Sequence, residues 1–160
     1  MISTMIKINP TRRISEREQE GAYKLWNQEY PKNLKHSCME DFEIYLSELA
    51  DPLHFFLLDD EQVLGWAFKF KRDGDVWFAI ILDGKIHGRG YGSALLDELK
   101  VEEKLLNGWV VEHNNYLRGN GKPYQSPIGF YLKNGFVVVP ENRLDTPNLS
   151  AIQIQWISVD

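Results

Sequence analysis

The chain has 160 residues, 43% of them apolar, 12% aromatic and 26% charged, with a single Cys. A chain of this size buries about 68 to 70% of the surface it exposes when unfolded, so one hydrophobic core suffices and a single domain over residues 1–160 is expected; the lone Cys38 excludes an internal disulfide and a Cys-based zinc site, and points to a reducing, cytoplasmic setting with no bound metal. Eighteen Lys plus Arg against 23 Asp plus Glu leave a net charge of -5, which argues against a nucleic-acid partner, and the absence of a run of about 18 apolar residues or of a leader-like stretch in Met1 to Arg13 argues against membrane insertion and export.

Ser15-Glu16-Arg17-Glu18 forms a capping box, and Ala22, Leu25, Trp26 and Glu29 follow at helical spacing up to a stop at Pro31. Ser37-Cys38-Met39-Glu40 repeats the box pattern; Phe42, Tyr45, Leu46 and Leu49 then predict a second helix ended by Asp51-Pro52. Three strand-like runs follow, His54 to Leu58, Val63 to Lys71 and Val76 to Leu82, and the short polar turns between them predict an antiparallel meander. After a glycine-rich stretch, Ser93 to Leu106 places Leu95, Leu96, Leu99 and Leu106 on one helical face, with Asn107-Gly108 as its C-cap. Trp109 to Glu112 reads as a short buried strand, and the helix before it makes it a parallel neighbour of Val76 to Leu82 through a right-handed crossover. A polar loop from His113 to Gln125 leads into Ser126-Pro127, the cap and first turn of a short helix ending at Asn134-Gly135. Phe136 to Val139 and Ala151 to Trp156 supply two final strands. The order predicts a layered α/β fold.

His87-Gly88-Arg89-Gly90-Tyr91-Gly92-Ser93 joins a buried strand to a helix start. Glycines let the chain turn tightly and let a ligand approach its amides, while the helix N-terminus favours a phosphate; Arg89 can add its charge. A Walker loop is excluded because no Gly-Lys-Ser/Thr follows. A dinucleotide fingerprint would use Gly88-x-Gly90, with Glu112 as the ribose-binding acid. Against it, Ser93 replaces the third glycine, Asp83 to His87 separate strand from turn, and the chain has room for one crossover unit.

The segment Ile80 to Leu96, with Gly90-x-Gly92 on the turn and Ser93-Ala94-Leu95-Leu96 opening the helix, resembles the acyl-CoA-binding motif of the GNAT N-acetyltransferase superfamily, Arg/Gln-x-x-Gly-x-Gly/Ala. Ile128-Gly129-Phe130-Tyr131-Leu132-Lys133-Asn134-Gly135-Phe136 is similar to that family's C-terminal helix signature, a Phe/Leu-Tyr pair four residues before Gly-Phe. His87 stands where the family usually has Arg or Gln, Gly84 where proline is common, and Tyr124 where an Asn often helps hold the CoA chain.

The resemblance implies a GNAT-like mixed, mostly antiparallel sheet with splayed central parallel strands and helices on both faces. It implies acetyl-CoA as co-substrate, with Ile80, Ile81 and Leu82 pairing through their backbones with the pantetheine amides and with His87, Gly88, Arg89, Gly90, Tyr91, Gly92 and Ser93 around the pyrophosphate. The implied reaction is direct attack of a primary amine on the thioester. Tyr131 matches the family's general-acid position; a phenol with an ordinary pKa of about 10 starts protonated and is close enough to a thiol at about 8.5 to share a proton. Glu112 at the expected strand end is the leading candidate base, with His113 and Asp83 beside it. A small-molecule or peptide amine is the expected acceptor, and a homodimer is one possible assembly. The same fold also suits a non-catalytic acyl-CoA-binding or regulatory module, since fold and ligand do not establish turnover.

Overall fold

The computed structural model describes residues 6–159. In chain order they form β1 (Ile6–Thr11), α1 (Glu16–Glu29), α2 (Met39–Ser47), β2 (Ala50–Asp59), β3 (Gln62–Arg72), β4 (Asp75–Leu82), α3 (Tyr91–Lys100), β5 (Leu105–Val110), α4 (Ile128–Lys133), β6 (Val137–Asp145) and β7 (Ser150–Ile157), with 3-10 turns at Lys32–Leu34 and Gly84–Ile86. The strands make one sheet of order β1-β2-β3-β4-β5-β7-β6. Only β4 and β5 run parallel.

Alternation along the strands sends successive side chains to opposite faces. Phe56, Trp66, Phe68, Phe70 and Ile81 face α1 and α2, which bury Ala22, Leu25, Trp26 and Phe42 against them. Phe55, Ala67 and Phe78 face the other way, into a core with Leu95, Leu96 and Leu99 of α3 and Tyr131 of α4. Ser15 caps α1 as its sequence requires: its side chain accepts from the Glu18 amide at 3.1 Å, and the Glu18 carboxylate accepts from the Ser15 amide at 3.0 Å.

Several local expectations are corrected. An N-terminal strand, β1, precedes α1; Pro10 interrupts its β signal, and the strand exists because it can pair along the edge of β2. In α2, Cys38 rather than Ser37 holds the cap position and no side chain caps the helix; Asp51-Pro52 lies within the irregular start of β2. The third helix begins at Tyr91 and stops at Lys100, because Lys69 of β3 donates to the carbonyls of Leu99 (3.0 Å) and Val101 (3.1 Å) and pairs with Glu103 at 2.7 Å. Leu106 reaches the same core from β5, so its helical spacing with Leu99 is a coincidence, and Asn107-Gly108 lies inside a strand rather than capping a helix. The cap position of α4 falls on Pro127, although Ser126 still accepts from the Ile128 amide through its hydroxyl, at 3.3 Å, and donates to the Val111 carbonyl. The last hairpin is longer than predicted, with a register shift in β6 between Val139 and Arg143.

The expected splay is present. β4 and β5 share one registered pair, Trp77 with Asn107, and no pairing continues toward their C-terminal ends. Aromatic rings fill the space a tight ladder would need: the Trp77 and Trp109 rings stack at 5.3 Å on one face, while on the other Phe78 lies so close that a β-carbon on Gly108 would come within 2.8 Å of its ring. Asn107 is meanwhile held toward β7, accepting from the amides of Gln153 (2.7 Å) and Gln155 (2.9 Å).

Candidate active site

The open ends of β4 and β5 lead into a cleft of about 1190 Å³, walled by the turn after β4, the start of α3, α4 and the loop 118–127. Within the gap itself lies a small cavity of about 40 Å³, bordered by Tyr30, Ile80, Trp109, Tyr124, Pro127 and Tyr131 among others.

The turn is built for backbone exposure. Asp83 accepts from the Lys85 amide at 3.0 Å and so starts the 3-10 turn. Gly88 and Gly90 then adopt φ of +76° and +87°, a left-handed conformation that glycine takes without the penalty of a β-carbon. Gly90 is the cap of α3 and, having no side chain, leaves the first-turn amides of Tyr91, Gly92 and Ser93 without a side-chain cap. Exposed amides at a helix N-terminus, together with the helix dipole, can hold an anion.

Ile80, Ile81, Leu82, His87, Gly88, Gly90, Gly92 and Ser93 all border the cleft. The Ile81 side chain is buried on the α1/α2 side, so its backbone is what it offers to the cleft. His87 donates from Nε2 to the Leu82 carbonyl at 3.0 Å, which places its ring over the end of β4. Tyr91 packs with Leu57, Leu64 and Ile86, so its phenol leaves the site and only its amide remains there. Arg89 is exposed and does not border the cleft.

Tyr131 is 6% exposed, with its ring among Phe78, Phe130 and Phe136 at 5.0 to 5.6 Å. Burial pushes its phenol far above the ordinary range, with Tyr124 adding to the shift. Burial raises Tyr124 to about 12 and Tyr30 well above 10. All three therefore stay protonated at neutral pH and have a proton to donate.

The candidate bases do not converge on Tyr131. Glu112 lies beyond the end of β5, exposed, ion-paired with Arg143 of β6 and away from the cleft, so the expected position at a strand end facing the gap is corrected. It leaves because β5 ends at Val110, two residues early. His113 packs on Tyr116 at 4.6 Å and accepts from the Asn115 amide through Nδ1. Asp83 borders the cleft but is engaged as a cap.

Glu29 was visible in the sequence only as a carboxylate on the apolar stripe of α1. It is 5% exposed and accepts from the Gly84 amide (2.9 Å), Arg118 Nη1 (2.7 Å) and Gln28 Nε2 (2.6 Å). One side chain thereby ties α1, the turn after β4 and the polar loop together. The loop also docks by backbone: Lys32 donates to Leu117 at 2.8 Å, and Gly119 donates to Tyr30 at 3.0 Å. The approach is so close that a β-carbon on Gly119 would lie 1.6 Å from the Asn27 carbonyl oxygen. Docking brings Tyr124 into the gap, a placement with no local sequence signal.

Among the described residues no helix is long and apolar enough to cross a membrane, and no group of three or more His, Cys, Asp or Glu is placed to hold a metal ion.

Comparison with known proteins agrees with this architecture. An aminoglycoside 6'-acetyltransferase type Ii superposes with a TM-score of 0.71 at 14% identity, over 94% of this chain and 96% of that one. An aminoglycoside 6'-N-acetyltransferase complexed with coenzyme A gives 0.70 at 13% identity, over 94% and 96%. The ribosomal-protein-S18-alanine N-acetyltransferase from Escherichia coli gives 0.65 at 18% identity, over 98% and 96%. At these identities the likeness is one of fold. No curated protein sequence matches the chain. The family described as acetyltransferase (GNAT) domain matches residues 51–138, a span that contains the splay, the glycine turn before α3 and Tyr131, and the chain belongs to that family.

Proposed function

We propose that the chain is an N-acetyltransferase that moves an acetyl group from acetyl-CoA to a primary amine, acting as one domain over its 160 residues. The observation that carries the reading is the break between β4 and β5, which joins the uncapped amides of α3 at one end to the Tyr131 phenol at the other. Acetyl-CoA supplies the activated acyl carbonyl. The first-turn amides of α3 and the backbone of Gly88 and Gly90 bind its pyrophosphate. The backbone of Ile80 to Leu82, unpaired toward β5, takes the pantetheine amides, with the Leu82 carbonyl already given to His87. One backbone donor directed at the carbonyl oxygen stabilises its developing negative charge by about 3 kcal/mol, and Tyr131 supplies a proton to the departing thiolate. The chain acts mainly by positioning.

Two measurements test this. Acetyl-CoA and CoA should each raise the melting temperature, while NAD at matched concentration should not; at 100 times the dissociation constant binding adds about 2.7 kcal/mol, a shift of several degrees for a chain of this size. Tyr131→Phe should lower turnover about 100-fold or more, the usual range for a general acid, and keep the acetyl-CoA shift. Unchanged turnover removes Tyr131 from the chemistry. No shift with either CoA species overturns the reading.

A further inference from the structure

Three phenols from separate segments meet at the gap between β4 and β5. We propose that Tyr30 and Tyr124 are catalytic residues there: their hydroxyls hold the carbonyl oxygen of the acetyl thioester and stabilise the negative charge it takes on, which leaves Tyr131 to the sulfur. This rests on the acetyl-transfer reading above.

The cavity in the gap has a volume of about 40 Å³, room for about three water molecules. Residues that border so small a space reach one ligand group together. Among the described residues Tyr30, Tyr124 and Tyr131 supply its ionisable side chains, set against Phe78, Ile80, Trp109 and Val110. At three other sites the fold satisfies the polar end of an aromatic ring: Trp26 Nε1 donates to the Leu34 carbonyl at 2.7 Å, Trp66 Nε1 donates to His54 Nδ1 at 3.0 Å, and the Tyr116 hydroxyl accepts from the Ser150 amide at 2.9 Å. The hydroxyls of Tyr30, Tyr124 and Tyr131 have no such partner among the described residues. A hydroxyl proton in an apolar gap is costly without an acceptor, so its partner is whatever ligand enters.

The rings are fixed before that ligand arrives. Tyr30 is the residue that ends α1; its ring packs on Trp26 at 4.6 Å and its carbonyl accepts from the Gly119 amide. The Tyr124 amide donates to the Tyr116 carbonyl at 2.9 Å, and the Tyr131 ring lies among Phe78, Phe130 and Phe136. Burial keeps all three phenols protonated, and proximity to one another adds to this for Tyr30 and Tyr131. Donors held in place in a site walled by rings stabilise a developing oxyanion without reorganising.

As the lone pair of a neutral amine forms the C–N bond, the carbonyl π pair moves onto oxygen. That oxygen then carries three lone pairs: two face Tyr30 and Tyr124, and the third faces the backbone donor. When the pair returns, the C–S bond breaks and its electrons leave on sulfur. Tyr131 gives its proton to that sulfur, and the proton the nitrogen loses restores the phenol. Tyr30 and Tyr124 keep their protons throughout. A neutral carbonyl oxygen accepts more weakly than an oxyanion, so both bonds tighten as charge builds, which is the condition for acceleration.

Infrared difference spectra of carbonyl-labelled acetyl-CoA bound to the parent, Tyr30→Phe, Tyr124→Phe and Tyr131→Phe read the carbonyl directly and need no amine. A hydrogen bond to a carbonyl lowers its stretching frequency. The stretch should therefore rise in Tyr30→Phe and in Tyr124→Phe and stay at the parent value in Tyr131→Phe. Tyr30→Phe and Tyr124→Phe should each also slow the release of CoA from acetyl-CoA to water, which passes through the same oxyanion, by about 100-fold, the range for removing one such donor. A rise in one of these two variants alone keeps that phenol and removes the other. A stretch unchanged in both, CoA release unchanged in both, or an equal rise in Tyr131→Phe overturns the proposal. Failure of the parent to bind acetyl-CoA overturns the acetyl-transfer reading itself.

Discussion

Replacing Glu29 with Ala removes the one side chain that joins α1, the turn after β4 and the loop carrying Tyr124. Glu29 is 5% exposed and its partner Arg118 18% exposed, with a contact of 2.7 Å. Removing one partner of a buried pair costs about 3 to 5 kcal/mol, because the other charge is left desolvated and unpaired. Arg118 borders the open cleft, so its share lies at the low end, about 3 kcal/mol. The Gly84 amide loses its acceptor as well, adding about 1 kcal/mol. At roughly 2 to 4 °C per kcal/mol for a chain of this size, Glu29→Ala should lower the melting temperature by about 8 to 16 °C. The double variant Glu29→Ala/Arg118→Ala should lose clearly less than the sum of the singles, since it leaves no orphaned charge. Thermal melts of the four proteins read both quantities. A loss under about 2 °C for Glu29→Ala, or additive singles, would refute the assignment of Glu29 as a buried tie.

Gly119→Ala places a β-carbon against the Asn27 carbonyl, a backbone atom that cannot move aside, so the loop must lift from α1. The expected cost is about 1 to 3 kcal/mol, and the amides of Lys32 and Gly119 should exchange with solvent at least about tenfold faster; unchanged exchange contradicts the close approach. His54 is 3% exposed and accepts from Trp66 Nε1 at 3.0 Å through Nδ1, and burial holds its pKa at about 4, below the ordinary 6.5. The unfolded chain therefore binds the proton first as pH falls: this contribution is complete above about pH 6.5 and is lost toward pH 4, amounting there to about 3 kcal/mol. Melts of the parent and of His54→Asn, which cannot titrate, should show the parent losing more stability between pH 7 and 4.5; parallel curves would show that His54 is not the group responsible.

The elements most legible in the sequence are those whose signals are local. Ser15 and Glu18 cap each other within one turn, and Gly88 and Gly90 are required by left-handed backbone wherever the segment sits. The Phe130-Tyr131 pair reads from its own helix, and Tyr131 does line the gap. The errors arise where a local pattern had two physical readings. Leu106 continues the leucine stripe of α3 by spacing, yet it enters the same core from β5, because Lys69, distant in sequence, ends the helix at Lys100. That shortening moves β5 forward and carries Glu112 out of the gap to Arg143.

Composition and periodicity by themselves determined that the chain forms a layered α/β fold with a parallel pair inside an antiparallel sheet, and the glycines marked the tight turn that opens the following helix. These follow from backbone and near-neighbour physics, which a sequence carries directly. The tertiary structure alone decided which groups meet. Glu29, Gly84 and Arg118 come from three separate segments, as do Tyr30, Tyr124 and Tyr131. A buried carboxylate is stable only when charge and amides from elsewhere converge on it, and a phenol's pKa rises only when other segments exclude water from it. Both conditions depend on contacts that no local pattern encodes.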